Sequence, residues 1–122
     1  MKEEGKKAPD LRERTKSFSL RIIRLYGSLP KTAVAQVIGR QLLRSGTSPG
    51  AHYREAQRSR STAEFISKIG GGLQELEETG YWLELLGESQ VVPARRLEEL
   101  QQETGELIAI FTSVAKSAKK KQ

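Results

Sequence analysis

Residues 97–118, LEELQQETGELIAIFTSVAKSA, place Leu97, Leu100, Thr104, Leu107, Phe111, Val114 and Ala118 at successive steps of 3, 4, 3, 4, 3 and 4. That spacing keeps all seven on one stripe of an α-helix, because residues three or four apart share a face. Working back along the chain, Leu11, Thr15, Phe18, Ile22, Leu25 and Leu29 form the same kind of stripe. Asp10 is suited to cap that first helix, and Gly27, Ser28 and Pro30 to end it. Ala33, Val34, Val37, Ile38, Gln41 and Leu42 continue the period into a second helix. Phe65, Ile69, Leu73, Leu76, Leu83 and Leu86 mark a third, which Ser59 or Ser61 can cap, Ser61 standing at capping-box spacing from Glu64. Pro93 suits the first turn of the fourth.

Short links between long amphipathic helices, with no strand-like alternation anywhere, predict an all-α fold: an antiparallel up-down-up-down four-helix bundle over residues 10–118. Residues 1–9 and 119–122 are expected to be flexible tails. Pro49 has no amide hydrogen and crowds the preceding turn, so the second helix is expected to kink there and run on to about Arg58. Gly70, Gly71, Gly72 and Gly80 lie inside the third helix, where each costs roughly 0.8–1 kcal/mol relative to Ala unless close helix contact offsets it.

Composition narrows the function. A chain of 122 residues, 36% hydrophobic and 30% charged, fits one soluble domain. No run approaches the ~20 apolar residues that span a bilayer, and the opening MKEEGKKAPD lacks a secretory apolar core, so no membrane role and a cytoplasmic location are expected. With no Cys and His52 as the single histidine, neither a thiolate metal site nor a histidine cluster is expected, and no cofactor. Gly70-Gly71-Gly72 lacks the Lys and Ser or Thr of a phosphate loop. His52 has no partner carboxylate at a recognisable spacing except Glu55, one position short of a helical turn, so no catalytic residue is assigned and the protein reads as a non-enzyme.

The net charge of +6 is unevenly laid out. Residues 31–61 carry Lys31, Arg40, Arg44, Arg54, Arg58 and Arg60 against Glu55 alone, and residues 62–90 carry Lys68 against Glu64, Glu75, Glu77, Glu78, Glu84 and Glu88. Two readings stay open. Arg40, Arg44, Arg54 and Arg58, joined by Arg14, Arg21 and Arg24, form a phosphate-binding surface for RNA or DNA. Alternatively, they pair with the glutamates of the third helix, within or between subunits of a scaffold that binds another protein. Arg54 and Glu55 are expected as a buried pair locking the break at Pro49. The segment TGYWLELLGE is apolar nearly all round, which argues for burial against a second copy; Tyr53, Tyr81, Trp82 and Leu85 are the candidate interface residues.

The run from Leu42 to Leu86 resembles the four-helix-bundle proteins known as 23S ribosomal RNA intervening-sequence proteins. The likeness is carried by Gly46-Thr47-Ser48, Gly50-Ala51, Tyr53-Arg54-Glu55-Ala56, Arg58, Ser61, Glu64-Phe65 and Tyr81-Trp82-Leu83. It extends in order from Leu11 and departs from the family pattern at His52, Gly72 and Gly80. The resemblance implies a ring-like homopentamer without enzymatic activity. That form is shared with the accessory variability protein of diversity-generating retroelements, which works with a reverse transcriptase and binds nucleic acid.

Overall fold

A computed structural model of the protein describes residues 10–122; the tail expected at 1–9 lies outside the described residues. Four α-helices follow one another: α1 (Leu11–Gly27), α2 (Ala33–Gln57), α3 (Thr62–Glu88) and α4 (Glu98–Lys119), with a 3-10 turn at Ala94–Leu97 leading into α4. There is no strand among the described residues. The fold is all-α, a four-helix bundle in which α2 packs on both α1 and α3, and α3 packs on α4.

Helix starts follow the cap chemistry of the sequence. The Asp10 carboxylate accepts from the Glu13 amide at 3.3 Å, Thr32 Oγ1 from the Ala35 amide at 3.3 Å, and Ser61 Oγ from the Glu64 amide at 3.0 Å. Each satisfies an amide that has no partner inside the helix. The capping box at α3 closes differently from its usual form: the Glu64 carboxylate accepts from the Arg60 amide at 3.1 Å, one residue ahead of the cap. Pro93 does not start α4. Its ψ of 132° is extended, and the chain first makes the 3-10 turn that buries Leu97 before the α-helix begins at Glu98.

The stripes of α1 and α4 bury as their spacing predicts, through Leu11, Thr15, Phe18 and Ile22 on one and Leu100, Thr104, Leu107 and Phe111 on the other. Helix α2 follows its apolar stripe only at Leu42 and, in part, Ile38. Val34 and Val37 are each 55% exposed, Ala33 and Gln41 are exposed as well, and the buried face runs through Ala35, Gly39, Leu42, Ser45, Gly46, Pro49, Gly50 and Ala56. The physical reason is distance. A methyl group on Gly46 would stand 2.7 Å from Ile22 Cγ1, closer than packed atoms come, so α1 lies against α2 where α2 has no side chain.

Pro49 sits inside a helix that continues to Gln57. Next to it, the hydroxyls of Thr47 and Ser48 donate back to the carbonyls of Leu43 (2.8 Å) and Arg44 (2.7 Å), a second bond to carbonyls four residues earlier that is known to bend helices slightly. Partners across the seams change in opposite order: Ser45 meets Thr79 (2.9 Å), His52 covers Gly71, and Glu55 meets Lys68 (3.2 Å). In the same way Ser19 meets Gly46 while Tyr26 lies against Gly39.

Candidate nucleic-acid interface

Six of the seven candidate arginines fall into three groups, and Arg40 stands apart. Arg14 and Arg44 are committed inside the chain. On α1, Arg14 forks onto α4, with Nε donating to Glu103 Oε2 at 2.7 Å, Nη2 to Glu103 Oε1 at 2.8 Å, and a further bond to Glu106. Those carboxylates, Glu103 first, raise the Arg14 pKa above its ordinary value. On α2, Arg44 joins Glu78 and, at 3.3 Å, Glu75 on α3, and its pKa is raised for the same reason, chiefly by Glu78. The Glu106 carboxyl is held below its usual range, first by the Gln102 amide and then by Arg14. Pairing with glutamates of α3 therefore holds for Arg44 alone among the candidate arginines.

Arg54 belongs to the second group. It lines a groove of about 340 Å³ between α1 and α2 with Lys16, Ser19, Thr47, Gly50 and Ala51. No carboxylate lines this groove. The small residues of the motif Gly46-Thr47-Ser48-Pro49-Gly50-Ala51 leave its floor low, and one turn further along each helix stand Arg12 and Arg58, both exposed. None of Arg12, Lys16, Arg54 and Arg58 is ion-paired with another described residue. The expected buried Arg54–Glu55 lock is not formed. Helix α2 is continuous there, so the two residues point to different sides, and Glu55, with a side chain 55% exposed, pairs with Lys68.

Arg21 and Arg24 form the third group. They line a cleft of about 270 Å³ where the end of α1 faces the turn before α4, together with Arg96 and Ser28. Arg40 is exposed on α2 and lines none of these clefts. Lys16 and Arg96 were missed by sequence reasoning. The signal for Lys16 was its place opposite the buried stripe of α1, in register with Arg12; nothing in the sequence brings Arg96 back to α1.

The interface candidates also separate. Tyr53 is used within the chain, its ring 6.2 Å from that of Phe111. Trp82 is half-buried against the core, its indole N–H donating to Glu78 Oε2 at 3.1 Å, and Leu85 is half-buried beside it. Tyr81 is 53% exposed, its ring 5.1 Å from the indole of Trp82. The bond from Trp82 is the first cause holding the Glu78 carboxyl below its usual range, ahead of Arg44.

His52 packs over Gly71, with Nδ1 buried and without a hydrogen-bond partner among the described residues. No three His, Asp or Glu side chains gather at metal-binding spacing among those residues. A cleft of about 550 Å³ lies between the start of α3 and the end of α4 over Phe65, Val114 and Ala118, with Arg60 and Lys121 also lining it. No helix among the described residues is long and apolar enough to cross a membrane.

The class these features define is a four-helix bundle with small-residue seams and cationic grooves along its first two helices. The chain belongs to the 23S rRNA-intervening sequence protein family, whose model matches residues 9–113. A solved protein of unknown function from the S23 ribosomal protein family of Bacteroides thetaiotaomicron is 36% identical, with a TM-score of 0.82 over 87% of this chain and 98% of that one. No curated protein matches the chain.

Proposed function

We propose that this protein is a non-enzymatic, homo-oligomeric accessory protein of the cytoplasm that binds nucleic acid, RNA in the first place, through the basic groove between α1 and α2. The observation that carries this reading is the groove itself: Lys16 and Arg54 flank a low floor with the hydroxyls of Ser19 and Thr47, and no acidic side chain lines it. Cations left without carboxylate partners are the ones that can displace counterions from a phosphate backbone. The opposite order of partners along adjoining helices supports an up-down-up-down course, and Pro49 is the natural point for α2 to bend. The resemblance supplies the ring of five, and Tyr81, Trp82 and Leu85, with the exposed Val34 and Val37, supply apolar surface for a neighbouring copy.

Filter binding of structured RNA across salt concentrations tests the groove. The double variant Lys16→Gln/Arg54→Gln is expected to bind more weakly, with a salt slope reduced by about 2 and an unchanged mass by light scattering. Wild-type protein that binds no RNA even at low salt rejects the reading.

A second reading is favoured by the outer face of α3, where Glu77, Tyr81, Glu84 and Glu88 are exposed in line. Such a stripe complements the basic groove of another copy, so that the arginines serve a head-to-tail assembly that holds another protein partner. On this reading Arg54→Gln/Arg58→Gln dissociates the oligomer in the absence of any RNA.

A further inference from the structure

We infer that the cleft formed by Arg21, Arg24, Arg96 and Ser28, between the end of α1 and the turn entering α4, is a phosphate-binding site. The site lies on the α4 side of α1, separate from the α1–α2 groove, and it rests on the nucleic-acid reading only for the source of the phosphate. Its three guanidinium groups come from two segments far apart in the chain, and one carboxylate, Glu99, lines the cleft with them. That is the reverse of the ratio at Arg14 and Arg44, each of which holds two carboxylates.

Neither Arg21, Arg24 nor Arg96 is ion-paired with another described residue, although Arg21 also borders the neighbouring cleft with Glu99, Glu103 and Glu106. The end of α1 does not need them as caps. The Leu25 carbonyl already accepts from the Ser28 amide at 3.0 Å and from Ser28 Oγ at 2.8 Å, and the Tyr26 carbonyl accepts from the Leu29 amide at 3.2 Å. The one polar contact across the cleft is Arg96 Nη2 to Ser28 Oγ at 3.5 Å, which turns a guanidinium edge toward the cleft and leaves most of its donors unused. Leu25 and Leu100 complete the walls. Planar guanidinium groups from two sides suit the tetrahedral array of oxygens on a phosphate.

The phosphate could be a diester of a nucleic-acid backbone or a terminal or free phosphate, and the experiment separates these sources. Inorganic phosphate is titrated into the full chain while the arginine Nε–H signals are followed by NMR. Saturable shifts confined to Arg21, Arg24 and Arg96 are expected, and the variant Arg24→Gln/Arg96→Gln, with unchanged helical content and melting, should weaken phosphate binding by about tenfold or more. Matched short RNAs with a 5′-phosphate or a 5′-hydroxyl then locate the source. An equal loss on both in the variant assigns the backbone, and a loss confined to the phosphorylated RNA assigns the terminal group. Shifts spread without saturation over all arginines, or a variant that binds phosphate as the wild type does, overturn the site. The variant Lys16→Gln/Arg54→Gln, which leaves this cleft intact, should lose RNA affinity but keep the phosphate shifts, so failure of one groove is distinguishable from failure of the other.

Discussion

The α2–α3 seam and the α1–α4 seam both carry ion pairs but differ in how closely their backbones approach. Along α2–α3 the contact is made by small and hydroxylated residues: Thr79 Oγ1 donates to Ser45 Oγ at 2.9 Å, His52 lies on Gly71, and Gly72, whose other neighbour is Phe111 of α4, has room on this side only for a Cβ 3.4 Å from that of His52. Along α1–α4 the helices are joined by the Arg14 fork onto Glu103 and Glu106, and clefts of about 270 and 230 Å³ open beside it. A close-packed seam has one geometry and resists any change in volume, whereas charges that stay near water cost little to rearrange. Stability is therefore concentrated on the α2–α3 side, and ligand-accessible charge on the surfaces of α1.

The largest effect expected from this contrast is at Gly72. A Cβ there would stand 2.6 Å from Phe111 Cε2, and the ring cannot step aside because Phe111 is fully buried and packed against Tyr53. Gly72→Ala gains up to about 1 kcal/mol of helix propensity, but overpacking a filled core costs about 1–3 kcal/mol, so a net loss of up to about 2 kcal/mol is expected in denaturant unfolding. Gly70 is the internal control, since nothing lies within 4 Å of its would-be Cβ. Gly70→Ala should stabilise by about 0.5–1 kcal/mol. Equal effects of the two substitutions would remove the distinction between a closed seam and ordinary helix surface.

A smaller effect is expected at the ionic seam. Arg14→Gln leaves Glu103, whose side chain is 16% exposed, beside Glu106 with no cation between them. A loss of about 1 kcal/mol follows, reduced from the value of a buried pair because Arg14 is itself part-exposed. Arg44→Gln, at a side chain 52% exposed, should cost only a few tenths of a kcal/mol. Unfolding measured at low and high salt should show the Arg14 effect shrinking as salt screens the pair. An effect at Arg44 as large as that at Arg14 would mean the two seams do not differ in this respect.

The same contrast explains what the sequence discloses. Caps at Asp10 and Ser61, the stripes of α1 and α4, and the presence of four helices are local or periodic properties, and they are legible because one residue type has one physical reason to stand there. The buried face of α2 is not legible from hydrophobicity: Gly39, Gly46 and Gly50 are inside because their neighbours approach closely, and Val34 and Val37 are outside although they are the apolar residues. Sequence-level charge counting likewise pairs the arginines of one segment with the glutamates of the next, but only Arg44 makes that pairing, while Arg14 finds its partners on α4. Arg54 and Arg21 were legible as candidates. Their companions Lys16 and Arg96 follow from which helices adjoin, a long-range fact that spacing within one helix does not contain.

The smallest effect is a spectroscopic one, and it probes the ionic edge of the closed seam. Trp82 is the chain's single tryptophan, and its indole N–H donates to Glu78 Oε2 at 3.1 Å. That bond, followed by Arg44, holds the Glu78 carboxyl below its usual range. A carboxyl depressed on folding stabilises the fold above its unfolded value, and the contribution is lost as pH falls through the lower, folded value. Trp82 fluorescence should therefore stay constant down through the ordinary carboxylate range and change only below it, while Glu78→Gln, which keeps an acceptor but cannot titrate, removes the step. A midpoint within the ordinary glutamate range, or a step that persists in Glu78→Gln, would separate the indole from this carboxylate. The Arg44–Glu78 contact would then be a solvated surface pair with no hold on the seam beside it.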